Sequence, residues 1–436
     1  MDTSLAAVPV HLSTSKARIE AGGSRIAVTF IGINYLPEPL GIAPYATGLC
    51  SELAQRGYDV KVITGVPHYP EWRVAPQYRW TWRCVETIGD VPVTRVRHSV
   101  PKQFTNSSRL LMEATFGIRA ALSKWDRPDV LVCVTPALVS TALLCLKFRA
   151  FGPNRPALGV WVQDLYSAGL AETQAAGSAV SGIARQLESW VLRQADGVAV
   201  IHDRFRTQLL DNLDVSPAKV TTIRNWAHVS SGARSDRDAD RKRLGWARDE
   251  IVVLHAGNMG VKQGLENVVS AAQLADRKNP RIRFVLLGDG NQRRSLEEMG
   301  RGVRCLEIRD PLPDDEFAAA LTAADILLVN QKPGVAEMSV PSKLTSYFQS
   351  GTAVLAAIDE TSGAAEEIRS SGAGIVVDSG DPDLLLDAVA ALAGDAELRT
   401  RLGANGTTYV ATVLSAQNSL DSFDQWIQQL STSRRH

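Results

Sequence analysis

The feature that most constrains this chain is a rhythm. Short β-branched apolar runs alternate with stretches of helical period, in two series separated by one polar break. A strand followed by a helix cannot return through a tight hairpin, so the rhythm predicts parallel sheets covered by helices on both faces. In the first series, Ile26–Ile33 reads as a buried strand. Ala43–Arg56 has helical spacing and stops at Gly57, and Asp59–Thr64 is the next strand. Period-two alternation from Cys84 to Arg97 around Gly89-Asp90 predicts a hairpin. Further strands are expected at Asp129–Val134, Ala157–Gln163, Gly197–Ile201 and Val220–Ile223. Ser230–Arg243 is polar, small and charged, and reads as a linker. The second series places strands at Ile251–His255, Phe284–Leu287, Val303–Leu306, Asp325–Val329, Ala353–Ala357 and Gly374–Val377, with a helix from Gln263. The expected fold class is α/β: two Rossmann-like, doubly wound domains facing across a cleft.

Composition narrows the function. Lys plus Arg and Asp plus Glu both number 47 in 436 residues, and this balance argues against a nucleic-acid binder. The five cysteines are scattered without a CxxC pair, which suits reduced thiols in a cytoplasmic protein rather than a zinc site or disulfide framework. Met1–Ser24 lacks the apolar core of a secretory signal and reads as a flexible tail. The longest internal apolar run, Pro136–Leu146, is too short to span a bilayer and reads as a core helix.

In open parallel sheets ligands collect beyond the carboxyl ends of the strands, so those ends hold the candidates. Gly41 precedes the first helix, as a turn glycine or as an amide facing an anion. The chain has no GxGxxG after a strand, which disfavours a nicotinamide site. His68 lies with Tyr69 between two prolines in a stiff loop that presents both rings, a solvated loop histidine being the alternative, and Asp164 follows an apolar run as a helix cap or a hydroxyl acceptor. After Ile251–His255 come Gly257, Gly260 and Gly264 with Lys262, a spacing that suits a diphosphate or, as the plainer reading, an ordinary loop. Pro341 opens another helix beside Lys343, giving a second candidate anion cradle around Ser339–Lys343.

The segments NYLPEPLGIAPYATGL, TGVPHYPEW, WVQDLYSAG, TIRNWAHV, LHAGNMGVKQGLENV, VLLGDGNQRRSLEEM, AADILLVNQ and SVPSKLTSYFQSGTAVLA follow one another in a specific order. Through them the chain resembles the retaining GT-B glycosyltransferases of family 4, in the exopolysaccharide and colanic-acid branch, from Arg25 to about Leu430. The resemblance implies a tail at 1–24, an acceptor domain at 25–228, a polar linker region at 229–249 and a nucleotide-sugar domain at 250–412. A final helix in 413–436, expected at Ser415–Leu430, would return to the first domain. It further implies Gly41 and Ile42 against the donor phosphates from the acceptor side. Asn258, Lys262, Gln263 and Gly264 would lie on the diphosphate, as would the amides of Ser339, Val340, Ser342 and Lys343. Asn225 would lie at the interdomain crossing.

Two departures stand out. The family's second glutamate, five residues before Gly351, is here Ser346; its partner eight residues earlier falls on Met338, with Glu337 one place away. Ser167 stands where DLYP-like sequences carry proline. Ser346 remains able to bond a ribose hydroxyl, without the strength that a charge lends. The expected reaction is hexosyl transfer with retention and no cofactor, the nucleotide-sugar being a substrate on UDP or GDP. It is expected without a metal, on the reading that the sequence offers no Asp-x-Asp pair for the diphosphate. Lys262 and Lys343 would stabilise the departing diphosphate, with His68 and Asp164 on the acceptor side.

The acceptor expected by analogy is a saccharide on a lipid carrier. Tyr78–Arg83 and an amphipathic stretch from Lys102 to Lys124, with Arg109 and Arg119 among its cations, suit peripheral contact with the inner face of a membrane; taken alone, they read first as an ordinary half-buried helix and a packed aromatic loop. Two alternatives stay open: a degenerate GT-B partner subunit that binds without transferring, motivated by Ser346, and a nucleotide-sugar epimerase.

Overall fold

The computed structural model describes residues 25–433 apart from 40, 70, 102–104, 153–154, 168–177, 227–235, 280 and 335–342. The predicted tail Met1–Ser24 lies outside the described residues.

Among the described residues the strands form two sheets. The first contains β1 (Ala27–Ile31), β2 (Asp59–Gly65), β3 (Arg83–Ile88), β4 (Val91–Val96), β5 (Val130–Thr135), β6 (Ala157–Val162), β7 (Gly197–Val200) and β8 (Val220–Thr222). Their order is β3-β4-β2-β1-β5-β6-β7-β8, parallel except for the β3–β4 hairpin. β5, β6 and β7 are buried along their whole length, as strands covered on both faces must be. The second sheet contains β9 (Ile251–Ala256), β10 (Ile282–Leu287), β11 (Leu306–Arg309), β12 (Ile326–Asn330), β13 (Ala353–Ala357) and β14 (Gly374–Val377), in the order β11-β10-β9-β12-β13-β14 and parallel throughout. Strand order reverses between β1 and β5 in the first sheet and between β9 and β12 in the second. Those reversals open the crevices in which such sheets bind ligands.

Two expectations need correction. β11 begins at Leu306 rather than Val303, because the amides of Arg304 and Cys305 are taken by the Asp276 carboxylate at 3.0 and 2.7 Å. The polar stretch read as a linker to Arg243 contains the helix Arg237–Leu244, capped by Asp236 and stopped at Gly245 with φ +75°. Arg241 is buried, donating to Asp325 Oδ2 at 3.0 Å and to the carbonyls of Ala323, Ala247 and Glu250. Leu244 and Trp246 enter the second core. The charges that suggested a linker are an exposed helix face and two arginines, Arg237 and Arg241, that both grip Asp325 just before β12. Residues 230–235 lie outside the described residues.

The final helix, Ala416–Thr432, packs on the first sheet as expected. Phe423, Trp426, Ile427 and Leu430 join the core of Trp161 and Trp226, with the Phe423 and Trp161 rings 4.8 Å apart. Each such burial stabilises by roughly 1.5–3 kcal/mol. The close approach requires glycine at position 159, where a Cβ would lie 2.6 Å from the Trp426 ring. The run Pro136–Leu146 forms most of the helix Leu138–Arg149, and among the described residues no helix is long and apolar enough to cross a membrane.

Candidate active site

At the second reversal, β9 and β12 pair only at Val253↔Ile326 and Leu254↔Leu327, then splay. Splaying strips backbone groups of ladder partners, and side chains must replace them. Tyr347 fills the gap: its hydroxyl accepts from Ala256 N at 2.9 Å and faces the Ala256 and Leu328 carbonyls. His255 fills the other side, with Nδ1 3.3 Å from Leu328 O. Complete burial and then the Lys343 charge hold its pKa well below the ordinary value, so the imidazole is neutral. With Nδ1–H donating to Leu328, Nε2 accepts from Lys343 Nζ at 3.4 Å. Lys343 and Tyr347 stand four residues apart on the helix Lys343–Ser350, hence on one face. Anchoring Tyr347 in the split therefore sets Lys343 above Gly257, where an added Cβ would lie 3.5 Å from Nζ.

The glycine loop is fastened from the other strand. Buried Asn330, at the end of β12, donates to the carbonyls of Gln263 and Gly264 at 2.8 and 3.0 Å. Lys332 N donates to Lys262 O at 2.8 Å. Gly264 has φ +54° and lies against Lys332, whose Cα would stand 2.9 Å from a Cβ. Only glycine satisfies both constraints. Gln263 turns back to accept from Gly260 N at 3.1 Å, which leaves Asn258 and Lys262 exposed at the lip. Ser346 lies in the first turn of Lys343–Ser350. The predicted residues Glu337, Ser339, Val340 and Ser342 lie outside the described residues.

At the first reversal a cavity of about 250 Å³ opens beyond β1, β5 and β6, lined in part by Asn34, Ile42, Trp72, Arg109, Glu113 and Asp164. Asp164 is exposed, as expected at a strand end. Its loop is held by buried Glu188, which accepts from Tyr166 N at 2.8 Å and from both the amide and the hydroxyl of Ser167. A proline at 167 supplies neither donor, so this departure from the family pattern has a local role. Glu113 is buried between Arg109 Nε and Val139 N, both at 2.9 Å, and burial raises its pKa against the opposing Arg109 charge. Gly41, with φ +69°, and Ile42 stand at the start of the helix Ala43–Gln55.

His68 is corrected. It is 3 % exposed and does not reach the cavity; Trp72, edge-on to its ring at 5.8 Å, stands there instead, with a left-handed φ of +50°. Glu38 accepts from the amides of His68 and Tyr69 at 2.9 and 3.0 Å and faces His68 Nδ1 at 3.1 Å. Burial works against the Glu38 charge, but the hydrogen bond and charge of His68 outweigh it and hold its pKa below the ordinary value. His68 is therefore a brace for the loop that presents Trp72.

The expectation about Asp-x-Asp pairs also needs correction, because the chain has them at Asp236/Asp238, Asp238/Asp240 and Asp381/Asp383. Asp236 and Asp381 are helix caps, Asp238 pairs with Arg248, Asp240 with Arg243 and Asp383 with Lys278. All have local structural duties. The amphipathic segment forms the helix Asn106–Leu122. Its cations differ from expectation: Arg109 faces the cavity, and Arg119 lies 4.1 Å over the Trp82 ring and donates to Arg97 O. Lys102 lies outside the described residues.

Across the domain crossing, His202 Nδ1 accepts from Arg204 N, so Nε2–H faces the buried Glu367 carboxylate at 3.2 Å. Arg224 reaches the same oxygen at 3.0 Å. Asn225 exchanges amide hydrogen bonds with Gln163, at 2.8 and 3.2 Å. Sequence reasoning missed Asn34, Arg109 as a cavity residue, Glu113, His255, Asn330 and Tyr347. The Arg109/Glu113 spacing of four was the one available signal.

Comparison with known proteins places the chain in a family. The family described as Glycosyl transferase 4-like domain matches residues 41–226, and the family described as Glycosyl transferases group 1 matches residues 236–409, beginning at the capping Asp236. The chain is 33% identical over 340 residues to a glycosyl transferase ascribed to colanic acid biosynthesis, WcaI of Escherichia coli (strain K12), covering 75% of this chain and 82% of that protein. Sucrose-phosphate synthase from Thermosynechococcus elongatus superposes with a TM-score of 0.72 at 17% identity, over 94% of this chain and 100% of the other. Anabaena Alr3699/HepE in complex with UDP-glucose gives a TM-score of 0.66 at 14% identity, over 94% and 100%.

Proposed function

The chain belongs to the GT-B glycosyltransferases that join a glycosyl transferase 4-like domain to a group 1 domain, and from that premise we propose that it transfers a sugar, with retention and without a metal, from a nucleoside diphosphate to a saccharide acceptor. The observation that carries the donor half is Lys343, held over the glycine loop by Tyr347 and backed by a neutral histidine. An ammonium fixed against backbone amides stabilises the charge that develops on a departing diphosphate. Lys262, at the exposed lip of the loop, adds a second cation. Asp164, at the first-sheet cavity, suits an acceptor hydroxyl. Two of the sequence's donor positions, Gly41 and Ile42, lie on the acceptor domain, so closure of the domains would complete the site.

A UDP or GDP donor fits this reading. A thermal-shift screen against UDP, GDP, ADP and dTDP tests it. A ligand that binds the folded state stabilises it by about 2.7 kcal/mol at a hundredfold excess over its Kd. A shift with one base supports the donor site; no shift with any removes it. Ser346, in place of the family glutamate, favours a second reading, a partner subunit that binds the donor without transferring. Donor binding with no transfer or donor hydrolysis on long incubation would select that reading.

The acceptor is proposed to be carried on a lipid, with the protein cytoplasmic and peripheral at the membrane. Trp80 and Trp82 are 85% and 71% exposed, and Leu110, Leu111, Ile118 and Leu122 project from the helix Asn106–Leu122. Exposed Arg79, Arg83 and Lys124 accompany them, a mixture suited to an anionic interface. Flotation with anionic liposomes tests this; absence of co-flotation removes the membrane contact.

A further inference from the structure

The cavity of the first sheet contains an arginine that the donor half does not use. Arg109 Nε is engaged by Glu113 Oε1 at 2.9 Å, and its carbon lies 4.2 Å from the centre of the Tyr166 ring. The ring beneath it and the carboxylate hold the guanidinium from two sides. Glu113 is itself fixed, since its other oxygen accepts from Val139 N at 2.9 Å and the Ser140 hydroxyl donates to its carbonyl at 2.7 Å. Among the described residues, the two terminal nitrogens of Arg109 have no hydrogen-bond partner, and its side chain is 25% exposed in a position lining the cavity. A guanidinium anchored through Nε and one face offers its remaining edge as a rigid two-pronged donor. That edge matches two oxygens of one anionic group.

Charge within the cavity supports this use. Glu113 is neutralised by Arg109 and hydrogen-bonded to the helix that follows β5, whereas Asp164 stands exposed at the end of β6. The cavity lining thus includes both the free edge of the Arg109 guanidinium and a separate carboxylate, Asp164. We infer that the acceptor is a saccharide bearing an oxyanion, a phosphate or a carboxylate, which Arg109 binds while Asp164 faces a hydroxyl. This inference rests on the transferase reading above and names the acceptor class for the same site. Arg109 is thereby an acceptor-specificity residue, acting at a distance from the donor cations of the second sheet.

The test is calorimetric titration of the full chain with glucose 1-phosphate, glucuronate and glucose, each with UDP at saturation so that free anions meet an occupied donor site. We expect one or both anionic sugars to bind at least about tenfold more tightly than glucose. Preference for the phosphate identifies a phosphorylated acceptor, and preference for glucuronate identifies an acidic sugar. Arg109→Ala should erase the preference. Because that change leaves Glu113 buried without its cation, the double variant Arg109→Met/Glu113→Gln, which removes both charges, should erase it too. Equal affinity for the three sugars, no binding of any, or a preference that survives in both variants would overturn the inference. UDP titrated alone separates the two proposals: UDP binding with no anion preference leaves the donor reading standing, whereas loss of UDP binding in the unaltered chain strikes the donor reading.

Discussion

The two sheets reverse strand order at corresponding places, yet their crevices are built in opposite ways. Between β9 and β12 the gap is packed shut by Tyr347, His255 and Asn330, and what stands above it is a glycine loop with Lys343. Between β1 and β5 the gap stays open as a cavity of about 250 Å³ carrying Arg109, Glu113 and Asp164. Topology sets where a ligand goes, and side chains set what it meets. A filled gap under bare backbone and a cation suits a diphosphate. An open gap with charges of both signs suits a sugar that must be held by several groups.

The largest expected effect breaks the comparison at the second sheet. Lys343→Ala should lower kcat by about 100- to 1,000-fold while donor affinity changes far less, because the ammonium acts mainly on charge that develops in the transition state. Steady-state kinetics with the nucleotide-sugar found in the thermal-shift screen measures it. An unchanged kcat would return Lys343 to a structural role.

A second effect sharpens the comparison through pH. His98, in the first domain, is buried beside His68 with ring centres 4.7 Å apart, and burial pushes its pKa from 6.5 down to about 4. The native state keeps it neutral, whereas the unfolded chain takes up a proton below 6.5. Its stabilisation is thus complete above about pH 6.5 and is lost as pH falls toward 4, on the order of 3 kcal/mol in all. Denaturant unfolding across that window should show the first domain weakening, with a flatter profile in His98→Gln. Equal slopes in the two proteins would contradict the assignment.

The smallest effect concerns the Asp164 loop. Ser167→Ala removes one of the donors to buried Glu188 and should cost about 1 kcal/mol in denaturant unfolding. Ser167→Pro removes both donors and should cost more. If alanine and proline were equivalent, the amide of Ser167 would not matter.

Much of the fold was present in the sequence. β13 and β14 have the predicted limits, and the glycine loop, Lys343 and Asp164 stand at the helix starts and strand ends where the pattern put them. Local pattern carries those features. What escaped it depends on tertiary geometry. Tyr347 matters because two strands splay, and no periodicity announces a splay. Arg109 read as a surface cation because its pairing with Glu113 and stacking on Tyr166 were not visible as a pocket. Arg241 read as part of a linker because two of its four partners, Ala323 and Asp325, lie more than eighty residues away in sequence. His68 erred the other way: a rigid His-Tyr loop looked exposed, and Glu38 draws it inside.

The division of labour between the two crevices is tested most directly by a crystal structure of the chain with UDP bound. The account predicts the diphosphate over the glycine loop, with an oxygen within hydrogen-bond distance of Lys343 Nζ and the Arg109 cavity free of it. A diphosphate seated in the first-sheet cavity against Arg109 would contradict it.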